Sequence, residues 1–237
     1  MKNYPKILII GSGRMGSFLA KKLSGFFQVY VYDKNYQKAE ALAQASGAQA
    51  LKKSELAVAQ LVILALASES IPQAIVELES FLSPDAVLVN IATTFPHSNL
   101  STKLRKVSAK IVGHAKEMAL GETPVIIMEG NESDAREMVR HVFGKIGTVT
   151  DGQTDLVSKI NTISSRQGII AALEIKKALA KLEIKDEAIT QAAIRIVAAG
   201  TMKAYAVGEA GPFVQAIIKE VGGVREINHG PFGHKDK

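Results

Sequence analysis

The sequence contains no cysteine, and its aromatic residues amount to only 5%. Without cysteine there is no disulfide framework, no thiolate nucleophile and no thiolate metal site, and a reducing compartment is compatible. No apolar stretch reaches the roughly 18 residues needed to cross a bilayer, so no membrane partner is expected. Met1 to Pro5 leads straight into an apolar run with no signal peptide ahead of it, which points to a soluble, cytoplasmic protein. His97, His114, His141, His229 and His234 lack metal-ligand spacing, so no metal site is expected. The net charge of +6, from 29 Lys plus Arg against 23 Asp plus Glu, has no basic cluster interleaved with aromatics. That argues against nucleic acid and for a solvated basic surface that attracts anionic cofactor and substrate.

The 237 residues, 47% of them hydrophobic, suffice for one large domain or two modest ones. The first 33 residues organise the rest. Lys6 to Ile10 is an apolar, β-branched run of strand length, and it stops at Gly11-Ser12-Gly13-Arg14-Met15-Gly16. The helix-forming stretch Ser17 to Leu23 follows. In G-x-G-x-x-G spacing, Gly11 permits the tight turn, Gly13 lets a phosphate approach the backbone, and Gly16 lets helix and strand pack closely. The helix then offers unpaired N–H groups and its positive dipole end to a pyrophosphate. A second strand, Gln28 to Tyr32, ends in Asp33, an acceptor for a ribose 2′-hydroxyl. Asp33 favours NAD modestly over NADP, while the adjacent Lys34 can pair with a 2′-phosphate and soften that choice.

Helical stretches then alternate with strands at Ala48 to Leu51, Gln60 to Leu66, Ala86 to Ile91, Lys110 to Gly113, Val125 to Met128 and Thr148 to Thr150. This alternation predicts an α/β, doubly wound, mostly parallel sheet covered on both faces. Ligands of such sheets bind at strand carboxyl ends, so Ala67, Ser68, Ala92 and Thr93 join the cofactor-binding candidates. After residue 151 the character changes to helix only: one helix from Thr154 or Asp155 to about Leu182, a second from Glu187 to Val207, and a third from Pro212. The expected domains are 1–151 for the dinucleotide and 152–221 as a small all-α unit, with a mobile tail over 222–237. The stretch Ala188 to Tyr205 is apolar over most of its circumference, which predicts a homodimer through the C-terminal helices.

With these residues in view, the chain resembles the nicotinamide-dependent dehydrogenases that join an N-terminal Rossmann domain to a helical domain. Among them are prephenate dehydrogenase, β-hydroxyacid dehydrogenases, pyrroline-5-carboxylate reductase and deazaflavin-dependent NADP reductases. The resemblance rests on the glycine hexapeptide, Asp33, Val62 to Leu66 and Ala86 to Asn90, over about the first 150 residues. It implies an NAD- or NADP-dependent oxidoreductase moving a hydride to or from a small, anionic hydroxy, oxo or imino substrate. Ile111 to His114, followed by Met118 and Gly121, is similar to the prephenate dehydrogenase segment with a catalytic histidine. Here it reads His-Ala-Lys-Glu-Met where that family has His-Pro-Met-Gly. Val157 to Asn161 is similar to the lysine-bearing helix of β-hydroxyacid dehydrogenases, which implies roles for Lys159 and Asn161. In that family the asparagine follows the lysine by four residues, whereas here it follows by two. Either Lys159 or His114 is then the proton-handling group. A non-catalytic, nucleotide-sensing regulator is the alternative, since the hexapeptide and Asp33 also look like potassium-transport regulatory domains.

Overall fold

The computed structural model of the chain describes residues 4–222. His229, His234 and all of the expected tail beyond Gly222 lie outside the described residues. Eight strands form one sheet in the order β3-β2-β1-β4-β5-β6-β7-β8. They are β1 (Ile7–Ile10), β2 (Val29–Tyr32), β3 (Gln49–Ala50), β4 (Leu61–Leu64), β5 (Val87–Asn90), β6 (Arg105–Val112), β7 (Val125–Glu129) and β8 (Thr148–Asp151). All neighbours are parallel except β6 and β7. The order reverses at β1, which lies between β2 and β4, so the crevice beside the carboxyl end of β1 is the switch point of the sheet. The mostly parallel Rossmann architecture read from the sequence is the one observed.

Helices α1 (Arg14–Leu23), α2 (Tyr36–Ser46), α3 (Ile71–Leu78), α4 (Ala115–Ala119) and α5 (Ser133–Phe143) connect these strands. The Asn35 side chain accepts the Lys38 N–H to start α2, and Gly47, at φ +73°, ends it in the left-handed conformation. The central strands are buried along their whole length, as the β-branched runs demand. Leu19, Leu23, Leu42, Val139 and Phe143 from α1, α2 and α5 pack on one face of the sheet. Ile71, Ile75 and Leu78 of α3, with Leu56 and Leu100, pack on the other.

Strand β6 departs from the expected Lys110 to Gly113 by starting at Arg105. Its Val107, Ala109 and Ile111 enter the first apolar layer. The alternating Lys106, Ser108 and Lys110 therefore face the other way, and a run with lysines at core positions does not read as a buried strand. Lys110 is buried, and its ammonium donates to the exposed Asp155 carboxylate at 3.0 Å.

The chain separates into two compact units, 1–163 and 164–237. The division falls inside α6 (Asp155–Lys181), whose first turns are tied to the sheet. Besides the Lys110–Asp155 pair, Thr154 donates its N–H and its hydroxyl to Glu129, and the Asn161 amide donates to the Ile111 carbonyl. The second unit holds the rest of α6, then α7 (Glu187–Ala192), α8 (Ala199–Val207) and α9 (Pro212–Gly222). A π-helical segment, Ala193–Ala198, interrupts the helix expected to run unbroken from Glu187 to Val207. Thr190 is the one buried side chain among the described residues of this unit.

Candidate functional site

The glycine loop is sterically determined. Gly11 adopts φ +108°, and a Cβ on it would stand 2.6 Å from the Ala65 carbonyl oxygen. On Gly16 a Cβ would stand 2.0 Å from the Gly11 carbonyl oxygen. Neither position has room for a side chain. Gly13, the residue capping α1, is different: nothing lies within 4 Å of its hypothetical Cβ. The free space is therefore over Gly13, at the start of α1, where Arg14, Met15 and Gly16 present first-turn N–H groups with no intrahelical partner.

Asp33 closes the loop from the end of β2. One carboxylate oxygen accepts the Ser12 N–H at 2.9 Å and the Ser12 hydroxyl at 2.6 Å, and the other accepts the Asn35 N–H at 3.0 Å. Burial pushes the Asp33 carboxyl up, but these hydrogen bonds and the nearby Lys38 outweigh it and hold the group below the usual aspartate value. The stabilisation is present above the unfolded pKa and is lost as pH falls through the folded one. Three of about four acceptor positions are taken, and the carboxylate keeps a further lone pair for a ribose hydroxyl.

A cavity of about 210 Å³ opens beside Asp33. Lys34 lines it, and so do residues not read from the sequence: Tyr32, Leu66, Ser70, Gln73, Ala74 and Glu77. The last four share one face at helical spacing, and the question of which face of the helix after β4 looks towards Asp33 would have found them. Burial raises the Tyr32 phenol above its ordinary value, and Glu77 and Asp33 add to the shift. Two carboxylates thus share the wall on which an adenosine would rest.

On the other side of the switch point, Ala67 is exposed, Ser68 and Thr93 are half-buried and Ala92 is buried. The Ser68 and Thr94 hydroxyls are 2.6 Å apart and join the loops that leave β4 and β5. Asn90, at the carboxyl end of β5, accepts the Ala92 N–H and donates to the Phe95 carbonyl, both at 3.0 Å, which shapes the second loop.

Residues 6–158 match the NAD-binding domain of 6-phosphogluconate dehydrogenase. The chain belongs to this NAD-binding family. It is a member of the NAD(P)-dependent Rossmann dehydrogenases and reductases, and NAD or NADP is its cofactor. No curated protein matches it in sequence. Among solved structures it is similar to a pyrroline-5-carboxylate reductase from Coxiella burnetii, with 17% identity, a TM-score of 0.70, and coverage of 95% of this chain and 93% of that one. The NADP-bound pyrroline carboxylate reductase of Plasmodium falciparum gives 13% identity, a TM-score of 0.67, and coverage of 93% and 85%. The Mycobacterium tuberculosis 3-hydroxyisobutyrate dehydrogenase gives 16%, 0.59, and coverage of 97% and 75%. At these identities the likeness is one of fold.

Within this NAD-binding protein the residues present fit a dinucleotide: a loop too tight for side chains at Gly11 and Gly16, open space at Gly13, and an ionised acid beside a cavity. None of the three catalytic candidates lines that cavity. His114 caps α4 with its backbone carbonyl, which accepts the Met118 N–H, and its ring is exposed. Lys159 is exposed on α6, and Asn161, two residues on, turns to the Ile111 carbonyl at 3.1 Å. Asn161 thereby anchors the start of α6 to the end of β6. Among the described residues, His114 and Lys159 have no side-chain hydrogen bond or ion pair. No helix among the described residues is long and apolar enough to cross a membrane, and none of their acidic or histidine groups forms a metal cluster.

Proposed function

We propose that the protein transfers a hydride between nicotinamide and a small, anionic substrate carrying a hydroxyl, carbonyl or imine. The observation that carries this reading is the glycine loop, closed to side chains at Gly11 and Gly16 and open at Gly13, locked to an ionised Asp33. The first-turn N–H groups of Arg14, Met15 and Gly16 would hold the pyrophosphate, with Ser12 and Asp33 on the adenosine ribose. Ala67, Ser68, Ala92 and Thr93 would border the nicotinamide half. When bound, the nicotinamide supplies or accepts the hydride. The reductases and the dehydrogenase that the fold resembles are named for small carboxylates, which supports a substrate of that class. The test follows nicotinamide absorbance with both cofactors against a panel of oxo acids, hydroxy acids and cyclic imino acids. A protein that binds dinucleotide and turns over none of them sinks the reading.

NAD is expected to be preferred, because Asp33 and Glu77 both face the position of a 2′-phosphate. Titration should show NADH binding more tightly than NADPH, and Asp33→Ala should narrow the gap. NADPH binding at least about tenfold tighter, or about 1.4 kcal/mol, contradicts this.

Lys159 and His114 are proposed to meet the substrate, as hydrogen-bond donors to its anionic group or as carriers of its proton, with Asn161 holding the Lys159 turn in place. Alanine at each separates these roles: losing an anion contact raises KM, whereas losing an acid–base lowers kcat about 10²–10⁴-fold with cofactor affinity unchanged. At least one variant should lose more than about tenfold in kcat/KM; retention in both removes both residues from the site.

A further inference from the structure

The second face of β6 carries a polar patch, unlike the wholly apolar strands β1 and β4. Ser108 sits opposite Asn90 of β5 in register, and both are fully buried. Over them lie the loop from Ala92 to Leu100 and the first turn of α6. The Lys106 ammonium donates to the Leu100 carbonyl at 2.6 Å, Lys110 to Asp155, and Glu129 accepts from Thr154. Into this patch reaches His97, whose Nδ1 lies 2.9 Å from the Ser108 Oγ. His97 stands on the same loop as Ala92 and Thr93, at the carboxyl end of β5, and Thr94 of that loop is bound to Ser68 after β4. Loops at strand carboxyl ends are where such folds bind their ligands.

The hydrogen-bond chain holds the ring by its Nδ1. The Asn90 Oδ1 accepts from the Ala92 N–H, which leaves its Nδ2 to donate to the Phe95 carbonyl and to the Ser108 Oγ at 3.4 Å. The Ser108 Oγ has two lone pairs and can accept both that amide hydrogen and the His97 Nδ1–H. With the neutral ring's proton on Nδ1 and donated to Ser108, the Nε2 lone pair is free, and Nε2 has no partner among the described residues.

We propose that His97 is a proton-handling residue of the site through Nε2, with Ser108 and Asn90 as positioning residues. This rests on the oxidoreductase reading above and goes beyond it, since it leaves Lys159 and His114 to hold the anionic group. In reduction, the substrate carbon takes the hydride with its electron pair from reduced nicotinamide, and the C=O or C=N π pair moves onto the heteroatom. That atom takes the Nε2 proton of the His97 imidazolium, and water reprotonates the ring. In oxidation Nε2 accepts the proton of the hydroxyl or amine. Burial pushes the His97 imidazolium below the ordinary histidine range; Glu129 raises it, Lys106 and Lys110 lower it, and Asp155 raises it. The ring is thus neutral and able to act as a base at neutral pH. Oxidation should slow, and reduction quicken, as pH falls below about 6.5.

The test uses the full chain and His97→Asn, which keeps a polar group for Ser108 and deletes Nε2. The first readout is ring NMR of the parent. The neutral ring is expected as the Nδ1–H tautomer, with a pKa lower in the NAD⁺-bound than in the NADH-bound protein, because the oxidised nicotinamide is cationic. An identical pKa in the free, NADH-bound and NAD⁺-bound protein overturns the proposal whether or not a substrate is known. The second is turnover: His97→Asn should lose about 10²–10⁴-fold in kcat, bind NADH within about twofold of the parent, and lose the pH limb. Ser108→Ala should shift that limb. A variant that melts lower but keeps kcat within about tenfold and keeps the limb shows a merely structural histidine and overturns the proposal. A parent that binds dinucleotide but turns over none of the panel overturns the oxidoreductase reading instead, while the ring titration still decides where His97 lies.

Discussion

Gly13→Ala is expected to fold and melt like the parent and to lose at least about tenfold in dinucleotide affinity, or about 1.4 kcal/mol. The added methyl meets no protein atom within 4 Å, so the fold has no reason to object. It would occupy the space through which a pyrophosphate must approach the first turn of α1. Gly16→Ala makes the contrast, because its methyl would stand 2.0 Å from the Gly11 carbonyl oxygen. Relief requires α1 to move off β1, which should lower stability by at least the roughly 1–3 kcal/mol of core overpacking and abolish binding with it. Thermal melting paired with fluorescence titration of NADH separates the two. Undiminished binding by Gly13→Ala would place the dinucleotide somewhere other than this loop.

Ile196→Glu is expected either to yield monomers or to leave the protein insoluble. Ile196, Leu182 and Phe213 are at least 70% exposed in the single chain, and Ile163, Leu173 and Val221 are 62–63% exposed. Helices this apolar, with Thr190 the one buried side chain among the described residues from 164 on, do not stay bare in water. A second copy of the chain, presenting the same surface, is the cover proposed here. Light scattering should give a dimer mass for the parent at micromolar concentration; a monomer mass rejects this cover.

Legibility in the sequence followed the range of the forces. Gly11, Gly13, Gly16 and Asp33 could be read together because the glycine spacing and an acid about 20 residues on form one pattern, and the demand at Gly16 is local, its Cβ meeting the Gly11 carbonyl oxygen. Likewise β1, β4 and β5 are buried on both faces and appear as unbroken apolar runs. Strand β6 was read only in its second half, since Lys106, Ser108 and Lys110 find their partners in Leu100, His97 and Asp155, and the last lies 45 residues away. The adenosine-side face of α3 was missed for a related reason, as Gln73 and Glu77 gain meaning only beside Asp33. Nothing local in Ala193–Ala198 signals the π-helical turn.

The central place of β1 has a consequence for how the chain is made. Ile7–Ile10 leaves the ribosome well before β4, one of its two hydrogen-bonding neighbours, because Leu61–Leu64 lies roughly 50 residues later. At about 5–20 residues per second, that interval is on the order of 3–10 s. For those seconds the nascent chain carries four consecutive aliphatic residues with one strand edge unpaired, a template for pairing with any neighbouring chain. Closing β1 onto β4 across so long a loop is also a slow step. The strand that later positions the cofactor loop is therefore the segment most in need of a chaperone's shelter during synthesis.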